Sequence, residues 1–151
     1  MMRTWKTAAF GLVMASFTGC SSSGFLEESP PKVYLEANKH LYETKVGTYC
    51  WKETCVDKAG PLELLKTEKP IKVKANEWLS LVIKYKRQPN EKHMAQIQNN
   101  YEMEIPLKKN KLKAPSEAGT YYYSYSVWWM DESQKNVFNG DASYAFVLEV
   151  K

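Results

Sequence analysis

The chain lacks an apolar run long enough to cross a membrane as a helix. Its longest run of apolar and small residues, Ala8–Thr18, has eleven members, whereas a membrane-spanning helix needs roughly 20. Motifs typical of enzymes are missing as well: there is no G-x-S-x-G, no H-E-x-x-H and no glycine-rich phosphate loop. We therefore expect a protein that neither spans the membrane nor catalyses a reaction, and that needs no cofactor.

An excess of one charge is also missing. Removing residues 1–19 takes away Arg3 and Lys6 out of 21 basic residues and none of the 17 acidic ones, which leaves a net charge of +2. Proteins that bind nucleic acid usually present a clustered basic face. The one dense basic run, Lys108–Lys113, is typical of a solvated hairpin turn. The composition therefore predicts no nucleic-acid partner.

The N-terminus has the features of an export signal. Arg3 and Lys6 precede the apolar run without any acidic residue, which is the order of a charged n-region and an apolar h-region. The run ends at Thr18-Gly19-Cys20. This tripeptide resembles the lipobox of bacterial lipoproteins, with Phe17 at the position where that family usually has Leu. The resemblance implies a signal peptide over residues 1–19 and a diacylglyceryl thioether on Cys20.

A lipid anchor implies that the protein is held on the extracytoplasmic face of the cell membrane. One acyl chain gives only marginal membrane binding, whereas two hold a protein stably. Residues 20–32, CSSSGFLEESPPK, are rich in Ser, Gly and Pro, so we predict a lipidated Cys followed by a flexible tether. Residues 33–151 are enough for one domain with its own core.

Alternation of apolar and polar residues with a period of two dominates this domain and predicts strands. The alternating stretches are Pro70–Ala75, Leu79–Lys86, Ile97–Ile105 and Tyr144–Val150. In the third stretch, one face is expected to carry Ile97, Tyr101, Met103 and Ile105. Each stretch has a polar face, so we expect antiparallel sheets wetted on one side. A short helical turn near Pro61–Lys66 is the exception in an all-β protein.

The segment KAPSEAGTYYYSYSVWWMD narrows the choice of β fold. Its Glu117-x-Gly119-x-Tyr121 spacing resembles the tyrosine corner of immunoglobulin-like sandwiches. The resemblance implies that the Tyr121 hydroxyl bonds to backbone upstream, and that Tyr123 stands where antibody domains have a Cys. With seven or eight short strands expected, we predict an immunoglobulin-like antiparallel β-sandwich. A small β-barrel is the alternative.

Cys50 and Cys55 are suited to a structural disulfide. If strands Thr48–Trp51 and Thr54–Asp57 flank a two-residue turn, the two cysteines lie opposite each other with Cα atoms about 4.5 Å apart, within the disulfide range. A four-residue loop between the bonded cysteines is equally open. Export to an oxidising compartment favours the bond, and closing so short a loop should contribute about 2 kcal/mol.

Metal binding and catalysis have little support in the pattern. A zinc site would need two more ligands, and the only histidines, His40 and His93, lack finger-like spacing. Carboxylate pairs such as Glu102 and Glu104 stand among lysines, as expected of a solvated surface. We therefore predict no metal site and no catalytic residue.

A wider resemblance covers nearly the whole mature domain. The motifs GTYCW and CVD, then GPLELLK, YYYSYSVWWMD and NGDASYAFVLEV, are similar to those of a group of uncharacterised secreted or lipid-anchored proteins of Gram-positive bacilli. The resemblance implies the same fold and compartment. It implies no reaction, because the group has no assigned activity.

A long connection is expected between the last two strands. Strands ending near Met130 and beginning near Ser143 would leave the loop 131–142, and long loops at one end of a sandwich are common binding sites. We expect Tyr121, Tyr123, Tyr125, Val127 and Trp129 in the core. The candidate binding residues near the loop are Tyr122, Trp128, Phe138, Asn139 and Asp141. Asn139-Gly140 is expected to form a tight turn.

Two functions remain compatible with the sequence. The first is a lipid-anchored binding module that meets a partner protein or a cell-wall polymer through this loop and its aromatic residues. The second is an envelope hydrolase or redox protein with an unfamiliar site. A passive spacer is a third, simpler possibility.

Overall fold

The structure is a computed structural model that describes residues 27–98 and 101–151. The predicted signal peptide and Cys20 lie outside the described residues. No helix in the described part of the chain is long and apolar enough to span a membrane. The described elements are β1 (Val33–Ala37), β2 (His40–Glu43), β3 (Lys45–Trp51), β4 (Thr54–Val56), α1 (Pro61–Leu64), β5 (Ile71–Val73), β6 (Trp78–Ile83), β7 (Glu91–Gln98), β8 (Tyr101–Glu104), β9 (Lys111–Lys113), β10 (Gly119–Met130) and β11 (Phe138–Val150).

These strands form two sheets that pack face to face as a sandwich. The smaller sheet has the order β2-β1-β6-β9, and the larger has the order β4-β3-β11-β10-β7-β8. All of these neighbours are antiparallel, and the short strand β5 adds to the larger sheet by running parallel to β11. The described strands form no closed barrel. The predicted all-β sandwich is confirmed.

The core lies between the sheets and follows the alternation of the sequence. Along β10, the inward-facing Tyr123, Tyr125, Val127 and Trp129 are at most 1% exposed. Leu79 and Leu81 of β6 close the core from the smaller sheet. Burying a large apolar side chain contributes about 1.5–3 kcal/mol, so the inner face of β10 is a main source of stability.

The predicted strand Ile97–Ile105 is wrong as a single element. Gln98 pairs with Tyr101 and Ala95 pairs with Glu104, so β7 and β8 form an antiparallel hairpin. Two asparagines, which favour turns, stand between them in the sequence. After the reversal Tyr101 is 78% exposed, instead of sharing a buried face with Ile97.

The basic run forms the solvated hairpin turn that its spacing predicts. The amide of Lys108 donates to the Lys111 carbonyl and the amide of Lys111 donates back, both at 3.0 Å. Lys109 and Asn110 between them have φ of 52° and 61°, as a type I′ turn requires. Leu112, which follows, is buried.

The last residues of the predicted tether lie against the domain. The indole N–H of Trp51 donates to the Glu27 carbonyl at 3.0 Å, and the Tyr144 hydroxyl donates to the Pro31 carbonyl at 2.6 Å. Lys52 and Glu28 form an ion pair at 2.8 Å. Glu27, Glu28 and Pro31 therefore contact the domain, although the flexible tether was predicted to continue to Lys32.

Four segments outside the sheets, three loops and the residues before β1, lie at one end of the sandwich. Val33 pairs with Ile83, Trp51 pairs with Gly140, and Trp128 pairs with Glu91. These registers bring four segments to the end of the sheets where β10 stops. We call this the loop end; it comprises residues 27–32, 52–53, 84–90 and 131–138.

Candidate functional site

The outer face of β10 has a different composition from its inner face. Tyr122, Ser124, Ser126 and Trp128 alternate outward and are all half-buried. The register with β7 places Ser126 opposite His93 and Trp128 opposite Glu91. Strand β8 then adds the outward Glu102 and Glu104 beside β7. Polar and aromatic side chains thus meet on one solvent-facing sheet surface.

Trp128 and His93 form the centre of this surface. Their rings are 5.4 Å apart between centroids and nearly perpendicular, at 88°. The His93 Nδ1 atom lies 3.4 Å from Oε1 of Glu104, and Nε2 lies 3.8 Å from Oε1 of Glu91. The imidazole is therefore positioned between two carboxylates and against one indole.

An open groove follows from this arrangement. It has a volume of about 320 Å³ and is lined by residues of β7, β8 and β10, among them His93, Ala95, Glu102, Glu104, Ser126 and Trp128. We call it the outer groove. Small side chains form its floor, Trp128 forms one wall, and carboxylates stand on the other side. This chemistry suits a positively charged or amine-bearing group, which both carboxylates and an aromatic ring attract.

The disulfide lies on the same sheet as the outer groove, with β11 between β3 and the groove-lining strand β10. Cys50 pairs with Cys55 and Trp51 with Thr54, so the connection is the two-residue turn and not the four-residue loop, which the sequence left equally open. The predicted Cys50–Cys55 bond is confirmed, with an S–S distance of 2.05 Å. Lys52 in the turn has φ of 56°. On the other side of Cys50 lies Asp141. The bond ties the edge strand β4 to the sheet.

The strand pairing places Asp141 on the outer face of the sheet. It lies directly opposite Trp128, so two of the predicted binding residues do come together. Partial burial raises the pKa of the Asp141 carboxyl, and a backbone hydrogen bond from Cys50 partly offsets that rise. A carboxyl in this setting favours a positively charged neighbour.

The connection between the last two strands is shorter than predicted. Strand β11 begins at Phe138 instead of near Ser143, so only residues 131–137 connect it to β10. Asn139-Gly140 is not a turn, because it continues the strand: Gly140 pairs with Trp129 on one side and Trp51 on the other. Cross-strand aromatic rings compensate for a glycine in a strand, and here they override the local turn signal.

The short connection is held by its own side chains. The Asp131 carboxylate accepts from the amide and the hydroxyl of Ser133, at 2.8 and 2.6 Å, and from the amide of Gln134 at 3.1 Å. These bonds, the Ser133 hydroxyl first, and a side-chain bond from Asn139 lower the pKa of Asp131. Asn139 therefore stabilises the loop, and the large apolar side chains exposed at this connection are Val137 and Phe138, 40% and 47% exposed.

Tyr122 lies away from this site. It packs half-buried against the cluster of Leu65, Ala145 and Val147 beneath α1, six residues along β10 from Trp128. The sequence suggested an exposed ring because α1, which covers it, is distant in the chain. Tyr122 therefore does not line the outer groove.

Tyr121 has the bond that the tyrosine-corner resemblance implies. Its hydroxyl donates to the Glu117 carbonyl, four residues upstream, at 3.0 Å. The ring packs partly buried against the core. This residue thus connects the start of β10 to the preceding loop, at the end of the sandwich opposite the loop end.

The sequence pattern did not predict the cluster that His93 forms with Glu91 and Glu104. His93 and Trp128 are 35 positions apart, and only the pairing of β7 with β10 brings them together. In the described ranges, no group of three or more His, Cys, Asp or Glu side chains is placed to hold a metal ion.

Comparisons with known proteins add no relative. No protein-family model matches the chain, and no curated protein and no solved structure matches it.

Proposed function

We propose that the protein is a lipid-anchored lipoprotein of the extracytoplasmic face and that its sandwich domain binds a partner in the cell envelope through the outer groove. The partner is a protein segment or a cell-wall polymer that carries positively charged amines. The single observation on which the binding role depends is the half-exposed Trp128 beside His93, in a groove whose acidic side chains are Glu102 and Glu104.

The contact chemistry supports a cationic ligand. An ammonium group over an indole face gains about 0.5–1 kcal/mol at an exposed site and more when it is desolvated. Glu102 and Glu104 are exposed, so their attraction acts through solvent and weakens with salt. An aromatic wall with nearby carboxylates therefore predicts moderate affinity that falls as ionic strength rises.

The binding role can be tested by capture on washed envelope fractions. The full-length protein is compared with Trp128→Ala, and with Trp78→Ala as a matched control, because Trp78 is 56% exposed but lies in the smaller sheet. We expect Trp128→Ala to lose most of the capture and Trp78→Ala to retain it. The double variant Glu102→Gln/Glu104→Gln should weaken capture and flatten its salt dependence.

Other results would favour the competing functions. Equal capture of all variants would exclude the outer groove as the binding site. A hydrolytic or thiol-exchange activity abolished by His93→Ala or Cys50→Ser would instead support an envelope enzyme.

The anchor has a separate test. Mass spectrometry of protein extracted from membranes should show a mature N-terminus at Cys20 with the added mass of acyl chains. An unmodified Cys20, or an N-terminus elsewhere, would exclude the anchor and leave the groove to be judged by the capture experiment.

A further inference from the structure

The N-terminal segment and the exposed apolar tip occupy the same end of the molecule. The described chain begins at Glu27, whose carbonyl accepts from the Trp51 indole. Trp51 pairs with Gly140, two residues from Phe138. Glu27 therefore lies at the same end of the sandwich as the tip formed by Val137 and Phe138.

The length of the chain between Cys20 and Glu27 limits how the domain can be oriented relative to the membrane. Seven residue steps separate Cys20 from Glu27, and a fully extended chain covers at most about 25 Å over that number. Strand β10 has twelve residues, which at about 3.3 Å per residue is close to 40 Å. With Cys20 in a bilayer, the opposite end cannot face that bilayer, because Glu27 would then be out of reach.

We propose that the loop end faces the membrane to which the chain is anchored, and that Val137 and Phe138 insert into the lipid surface. This inference rests on the anchor in the proposed function. In this orientation the tip contacts lipid. The outer groove lies on the side of the sandwich, where it is open to a partner near the membrane surface.

Two exposed apolar side chains suit this contact. Val137 and Phe138 project from a connection that is otherwise polar and internally hydrogen-bonded. Apolar side chains at a membrane boundary are buried only to headgroup or upper acyl depth. Alone they would bind weakly, but a short tether raises their local concentration at the bilayer to about the millimolar range. The tip then acts as a second contact that fixes orientation.

The charges of the loop end do not oppose the contact. The exposed basic residues there are Lys32, Lys84, Lys86, Arg87 and Lys135, and the exposed acidic ones are Glu27, Glu28, Glu53 and Glu132. Because basic and acidic residues are mixed at the loop end, the proposal rests on the apolar tip and on the short chain between Cys20 and Glu27. Anionic headgroups would attract the basic members and repel the acidic ones.

Site-specific photo-crosslinking to lipid tests this orientation. The full-length acylated protein, reconstituted in phosphatidylethanolamine–phosphatidylglycerol vesicles, carries benzoylphenylalanine in place of Phe138 or, as the control, in place of Tyr101. Tyr101 is the more exposed residue, at 78%, and pairs with Gln98 at the opposite end. We expect severalfold more lipid adducts from position 138 than from position 101.

The outcomes distinguish this inference from the proposed function. Equal or absent lipid adducts at position 138, in protein whose Cys20 carries acyl chains, would overturn the inference and leave the anchor intact. Adducts from position 138 to protein instead of lipid would also overturn it. If Cys20 is unmodified in the same sample, the anchor fails, and the inference fails with it.

Discussion

Two adjacent tryptophans on β10 have opposite environments. Trp129 is 1% exposed, donates its indole N–H to the Arg87 carbonyl at 2.7 Å, and contacts Trp51 edge-on at 4.8 Å between centroids. Trp128 is half-buried in the outer groove beside His93. Alternation along one strand places one ring in the core and the next on the solvent-facing side of the sheet.

The two faces of the larger sheet are stabilised by different interactions. The inner face depends on burial and aromatic contacts, with Tyr85 adding to the Trp51–Trp129 pair. Outside the cluster that Leu65, Ala145 and Val147 form beneath α1, the outer face depends on strand pairing, on the disulfide and on local hydrogen bonds. Because its side chains contribute less to folding, the outer face can carry polar residues suited to a ligand.

The largest expected effect is that of Trp129→Ala. Removing a buried indole leaves a cavity and should cost about 3–5 kcal/mol in the free energy of unfolding. Urea denaturation measures the loss. Trp128→Ala is the matched control and should stay within about 1 kcal/mol of wild type. Similar losses for both variants would contradict the distinction between the two faces.

Removing the disulfide on the outer face is expected to have an intermediate effect on the free energy of unfolding. The double variant Cys50→Ser/Cys55→Ser opens a six-residue loop and should lose about 2 kcal/mol, measured by thermal or urea unfolding. Reduction of the wild type should lower its stability by a similar amount and leave the double variant unchanged. A double variant as stable as the oxidised wild type would show that strand pairing alone holds β4.

The smallest expected effects come from two paired tyrosines. Tyr125 lies opposite Tyr144, and both are buried. The Tyr144 hydroxyl donates to Pro31, whereas the Tyr125 hydroxyl has no hydrogen-bond partner within the described ranges. Tyr144→Phe should therefore cost about 1 kcal/mol, and Tyr125→Phe should be neutral or stabilising. Equal losses of unfolding free energy for the two variants in urea would contradict this difference between the Tyr125 and Tyr144 hydroxyls.

Local patterns were enough to predict much of the fold. The alternation along β10 correctly separated Trp129 from Trp128, and the spacing of Cys50 and Cys55 predicted their pairing. Both features depend on neighbouring residues in the chain, and the side-chain period of a strand leaves few alternatives.

Features that depend on distant segments were not predictable in the same way. The turn expected at Asn139-Gly140 is replaced by a strand, because Gly140 pairs with two tryptophan-bearing strands. The outer groove needs the register of β7 against β10, which no local pattern determines. Pairing across many residues is decided by tertiary contacts, and these override turn propensity.

The contacts of Glu27 and Pro31 define where a recombinant version of this domain has to begin. A protein started at Val33, the first residue of β1, would lack the two carbonyl groups that accept from Trp51 and Tyr144. Both donors belong to the buried core, so the truncated domain would expose its aromatic cluster to water at the N-terminal side. Expression from Glu27 keeps those acceptors in place.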